Sequence, residues 1–80
     1  MRIAIYSIQN ILFEGAAEKL LCGTPQGQIT VLNNHIPLIS TLTGPAVEVV
    51  DIEGKSTKVA LSGGILEVRP ESEVVILANQ

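Results

Sequence analysis

The chain has 80 residues, enough for one domain and no second. With five basic and eight acidic residues, a net charge of −3 and scattered Arg2, Lys19, Lys55, Lys58 and Arg69, it has no electrostatic footprint for nucleic acid. Tyr6 and Phe13 are the only aromatic residues, too few to stack bases or to floor a carbohydrate site. Cys22 and His35 are each alone of their kind, so no disulfide closes within the chain and no Cys/His set holds a structural zinc.

A domain of this size buries only about 60% of the surface its unfolded chain exposes. Small domains often add a disulfide or a metal to compensate, and this sequence offers neither. Its hydrophobic content is 46% against 16% charged residues. That excess predicts an outer face covered by a partner, whose contacts supply the missing stability. The start, Met1-Arg2-Ile3-Ala4-Ile5-Tyr6, lacks the long apolar core of a secretory signal, and one cysteine fits a reducing compartment. No apolar run reaches the roughly 20 residues that span a bilayer, so the chain is expected not to be inserted in one.

Taken in order, the segments read as β. Ile3 and Ile5 alternate with Arg2, Ala4 and Tyr6, and Ile11-Leu12-Phe13 follows, closed by Glu14-Gly15. Ala16 to Leu21 consists of good helix formers but is too short to stand alone and lies between strands, so it is assigned to a strand. Gly27 opens a strand in which Ile29 and Val31 share a face, and Asn33-Asn34 supplies a turn because Asn tolerates the left-handed region. Ile36 to Leu42 is apolar and β-branched, and Gly44-Pro45 is read as its end. From Val47 to Ile52 the apolar phase changes midway, which predicts a bulge or a corner between two sheets. Glu53-Gly54 turns into Ser56 to Ser62; Gly63-Gly64 marks a bend or a close backbone approach; Ile65 to Arg69 and Glu73 to Ala78 flank Pro70-Glu71-Ser72. The expected fold is all-β, a small flattened antiparallel sandwich or barrel of about eight to ten short strands.

Catalytic constellations do not assemble from these residues. There is no phosphate loop, since Gly63-Gly64 is followed by a strand pattern rather than a helix. A nucleophile would have to borrow His35, with nothing to orient the imidazole. The carboxylates are spread along strands and turns, where solvated edges explain them. A binding or structural module remains, and its informative segment is Gly27 to Gly44. That stretch is either a sandwich turn in which His35 merely caps or packs, or a binding loop.

Four motifs in this order carry a resemblance. They are Leu12-Phe13-Glu14-Gly15; Gly27-Gln28-Ile29-Thr30-Val31-Leu32-Asn33-Asn34-His35-Ile36-Pro37-Leu38-Ile39; Ser62-Gly63-Gly64-Ile65-Leu66-Glu67-Val68; and Val74-Val75-Ile76-Leu77-Ala78. Together they resemble the amino-terminal domain of the epsilon chain of F-type ATP synthases, called delta in mitochondria. The likeness is to that family's early apolar-Phe-x-Gly turn, its G-E-[LI]-G-I-L-P-G-H-x-P-L-[IL], its G-G-[IVF]-[LA]-E-V and its final strand. Departures are Gln28 for the family's Glu, Thr30 for a Gly, Asn33-Asn34 for its Pro-Gly, and Gly44-Pro45 for its Pro-Gly.

The resemblance implies a non-catalytic subunit of the central stalk, with no cofactor or metal, coupling proton translocation to ATP synthesis. The implied partners are the gamma subunit and the membrane-embedded ring of proton-carrying subunits. It also implies a peripheral position on the cytoplasmic face of a bacterial inner membrane, or the stromal face of a thylakoid. Gln28, Asn33, Asn34, His35 and Pro37 are the expected ring-contact loop. Leu42, Thr43, Gly63, Gly64 and Glu67 are the expected gamma contact. The family's helical tail, with its inhibition of hydrolysis and its ATP binding, has no counterpart in these residues, which fits a naturally short member or a piece of a longer chain alike. The alternative is a free-standing β-sandwich binding module without activity.

Overall fold

Period-two alternation of β-branched and aliphatic residues places one side of each strand inward and the other outward. In the computed structural model, which describes residues 1–79, it produces eight strands and no helix. They are β1 (Arg2–Tyr6), β2 (Ile11–Ala16), β3 (Lys19–Thr24), β4 (Gly27–Leu32), β5 (Leu38–Val50), β6 (Ser56–Ala60), β7 (Gly63–Arg69) and β8 (Glu73–Asn79). The hydrogen-bonded order is β2-β1-β8-β7-β5-β3-β4, with β6 on β5. Every pair is antiparallel except β1 and β8, which run parallel.

β5 makes this path a two-layer sandwich. Its front half, Leu38 to Thr43, pairs with β7, and its back half, Ala46 to Val50, lies between β3 and β6. Gly44-Pro45 therefore does not end a strand: it is the corner inside a single strand of 13 residues. Opposite it the β3–β5 register jumps, from Leu21 facing Glu48 to Gly23 facing Thr43. Gly44 is needed there because a Cβ would come within 2.6 Å of the Leu61 carbonyl oxygen. The corner sits upstream of the expected one. Between Ala46 and Val50 the pairing with β6 is regular, and the apparent phase change at Val50 is the strand running out, with Ile52 exposed in the following turn.

The segment Ala16 to Leu21 is divided. Ala16 closes β2, Ala17 and Glu18 connect, and Lys19 begins β3. The buried Leu20, aligned between Val31 and Val49, shows tertiary packing overriding helix propensity.

Inward residues from both layers form one cluster. Ile5, Ile76 and Leu66 line up across β1, β8 and β7 and are fully buried. Val31, Leu20 and Val49 do the same across β4, β3 and β5. Cys22 lies in this cluster as a free buried thiol, and burial pushes its pKa up from 9.0 to about 11. It packs as a small hydrophobe. Thr24, the one buried polar side chain among the described residues, donates to the Gly27 carbonyl at 2.7 Å and so costs the core little.

Candidate functional site: the outer faces and the layer-crossing turn

The register of the first layer aligns its outward side chains in rows. One row crosses all five strands as Ile11, Tyr6, Leu77, Ile65 and Thr41. Four strand spacings make it about 19 Å long. It carries no charge, yet Ile11, Leu77 and Ile65 are 64%, 56% and 48% exposed. The next row is Glu14, Ala4, Val75, Glu67 and Ile39, and the one beyond it contains Arg2, Glu73 and Arg69. The face therefore grades from apolar to charged. Arg69 donates to Glu67 at 3.1 Å, and that hydrogen bond holds the guanidinium pKa above its usual range.

Of the residues expected to meet gamma, Leu42 lies opposite Gly64 and Thr43 opposite Gly63. The structure thus brings the two stretches together. Leu42 faces inward, however, and is only 5% exposed, so its side chain belongs to the core, and Gly63, though it pairs with Thr43, is buried. Gly64 serves a close backbone approach, since a Cβ would fall 2.3 Å from the Leu77 carbonyl oxygen. Thr43 and Glu67 remain on the outer side. Reading motifs alone missed Ile11, Tyr6, Ile65 and Leu77. The outward phase of the alternation in β7 and β8 was the available signal.

The residues expected to meet the ring do not form one cluster. Gln28 follows the β3–β4 hairpin, whose loop is Pro25-Gln26, exposed and uncharged. Asn33 to Pro37 begin beyond the other end of β4, and about 13 Å of strand separates Gln28 from Leu32. This second segment crosses from layer to layer. The Asn34 amide donates to the Ser72 hydroxyl at 2.9 Å, and that hydroxyl donates to Asn34 Oδ1 at 3.2 Å. The His35 amide donates to the Leu32 carbonyl at 3.2 Å, and His35 Nδ1 lies 2.7 Å from the Ile36 carbonyl oxygen. Asn33 Oδ1 accepts from the Met1 amine. Ile36 and Ile39 are exposed, and Ile39 stands beside Glu67 on the outer side of the first layer. The turn thus adjoins the charged end of that face, beside Arg69 and Pro70, whereas Gln28 stands at the hairpin beside the Gly44-Pro45 corner.

Among the described residues, no three His, Cys, Asp or Glu side chains come close enough to hold a metal ion. What the molecule offers is surface: an outer face with one uncharged row, an uncharged hairpin tip and a packed body behind both. This is a small β-sandwich domain. The profile of the family described as "ATP synthase, Delta/Epsilon chain, beta-sandwich domain" matches residues 1–80, and the chain belongs to that family. Similar proteins include the ATP synthase epsilon chain of Brevibacillus brevis, 33% identical over 79 residues, and that of Shouchella clausii, 38% identical over 80. Each match covers 99% of this chain but 59% and 58% of those relatives, so the chain spans well under two thirds of their length. A chain in the Euglena gracilis mitochondrial ATP synthase (OSCP/F1/c-ring) shares the fold, with a TM-score of 0.90 over 98% of this chain and 49% of its own at 20% identity. A chain in the Tetrahymena thermophila central stalk/c-ring structure does so with a TM-score of 0.78 at 12% identity, covering 99% of this chain and 63% of its own.

Proposed function

We propose that this chain is a non-catalytic coupling element of an ATP synthase rotor, peripheral on the cytoplasmic side of the membrane. In this reading it joins the gamma subunit of the central stalk to the membrane-embedded ring. The single observation that carries the reading is the uncharged row Ile11, Tyr6, Leu77, Ile65 and Thr41. Such a row left in water is unfavourable, and burying each Ile or Leu fully against a partner contributes about 1.5–3 kcal/mol. Gamma docks on this face, with Thr43, Glu67 and the Asn33 to Pro37 turn at its margin. The ring meets the other end of β4, at Pro25, Gln26 and Gln28.

The separation of Gln28 from His35 supports this division, since one flat contact does not take in both ends of the strand without lying along it. A close-packed two-layer body passes torque because its interior compresses little. Cysteines placed singly at Gln28, Ile65 and His35, in a Cys22→Ala background, test the division by crosslinking in the assembled enzyme. Capture of a ring subunit from Gln28 and of gamma from Ile65 and His35 is expected. Capture of the ring from His35 returns the whole Gln28 to Pro37 segment to the ring. No capture of either partner from any position sinks the proposal.

A further inference from the structure

The turn from Asn33 to Pro37 is held within itself by the His35 amide on the Leu32 carbonyl and the His35 ring at the Ile36 carbonyl, and from outside by the Met1 amine on Asn33 and by Ser72 on Asn34. Asn33, Ile36 and Pro37 are exposed, and Asn34 takes a left-handed backbone with φ of 64°. Asn adopts that region more readily than most residues when its side chain finds a local hydrogen bond. Here the partner comes from 38 positions away. Ser72 is itself left-handed, with φ of 57°, and its carbonyl accepts from the Arg2 amide at 2.9 Å, so it is fixed to the start of β1. Its hydroxyl both accepts from the Asn34 amide and donates to Asn34 Oδ1. A hydroxyl can fill both roles at once, and the pair pins the backbone and the side chain of one residue from outside the turn.

We infer that Ser72 is a positioning residue. Held on the start of β1, it fixes the Asn33 to Pro37 turn through Asn34 and thereby sets how the chain enters β5 beside Arg69 and Pro70. Only the last step, that this turn flanks a docked gamma subunit, rests on the function proposed above. A residue outside the segment thus governs its shape. A threonine would serve poorly, because a β-branched side chain disfavours positive φ.

Ser72→Gly isolates the hydroxyl, since glycine keeps the left-handed backbone at no steric cost. Amide hydrogen exchange in the intact chain is the measurement. His35 should exchange faster by on the order of fivefold, the equivalent of one hydrogen bond, while Leu66 and Ile76 in the core keep their rates. In an Asn34→Gly background, which removes the Oδ1 partner and relaxes the left-handed requirement, the same change should have less than half that effect. An unmoved His35, a uniform rise that includes Leu66 and Ile76, or a full effect in the Asn34→Gly background overturns the inference. Capture of purified gamma is the separate second readout. If exchange behaves as stated and capture by Ser72→Gly is unchanged, Ser72 still positions the turn and only the turn's place beside gamma is wrong.

Discussion

The two layers of the sandwich share one interior and differ in how charge is distributed over their outer faces. The first layer ends in the row Ile11, Tyr6, Leu77, Ile65 and Thr41, with no charge in it. On the second, the corresponding rows are Thr30, Leu21, Glu48 and Lys58, and then Leu32, Lys19, Val50 and Ser56. Each of those carries charge, with Glu48 and Lys58 directly opposite one another. Alternation alone would make both faces polar, as a sheet with one side in water requires. That one whole row of the first layer goes without charge, while each of these rows on the second carries some, teaches where the chain expects company. The same inward period satisfies the core on both sides, so the difference lies entirely in what the outward positions carry.

Substitutions should separate the shared interior from the unlike exteriors. The largest effect belongs to Gly64→Val, which drives a side chain into the Leu77 carbonyl and forces a β-branched residue to a φ of 155°. A loss of about 3 kcal/mol or more in urea unfolding is expected, a large part of what a domain this small has. Leu66→Ala, one inward position away from the exposed Ile65, should cost about 2–5 kcal/mol through the cavity it leaves. Ile65→Ser on the outer side should stay within about 0.5 kcal/mol of the parent in the same assay. It should nonetheless weaken capture of gamma by at least about tenfold, near 1.4 kcal/mol. If Ile65→Ser leaves capture intact while Thr30→Asp or Leu21→Ser abolishes it, the faces have been assigned the wrong way round.

The interior itself should respond to alkali through one group. Burial raises the Cys22 pKa from 9.0 to about 11. The folded state therefore keeps its proton after the unfolded chain has lost it. Stability is full below about pH 9 and declines as pH rises toward 11, because deprotonation then favours unfolding. Cys22→Ala should flatten that decline while lowering stability overall by leaving a small void. A decline of the same slope in Cys22→Ala would assign it to other groups.

Much of this was legible in the order of residues. Inward positions such as Ile3, Ile5, Val59 and Leu61 follow from alternation, and the turn residues fall where the chain turns. Three features were not. Gly44-Pro45 reads locally as a stop, and only the pairing of both halves of β5 with different neighbours reveals a corner. The parallel alignment of β1 with β8 joins residues from opposite ends of the chain, which no local pattern encodes. The motif from Gln28 to His35 is continuous in sequence and reads as one contact, yet its first five residues, Gln28 to Leu32, lie in β4, which holds its ends apart. Ser72 was invisible for the same reason, since its partner is 38 residues away.

The smallest expected effect tests the uncharged hairpin tip. Pro25, Gln26, Gly27 and Gln28 are exposed and carry no formal charge. A contact made through them should change little with ionic strength, because screening acts on charges rather than on amide dipoles. Gln28→Glu introduces one carboxylate at an exposed position, where ion pairs contribute about 0.2–1 kcal/mol. Folding should be unaffected, while capture of the ring should become measurably salt-dependent between about 50 and 200 mM, over which the Debye length shortens from roughly 14 to 7 Å. The same substitution at His35 should leave the salt response of ring capture unchanged, since that end of β4 lies about 13 Å of strand away from the hairpin tip. Equal salt responses from the two positions would mean that both ends of β4 lie against the ring and that the strand's edge, not its hairpin tip, makes the contact.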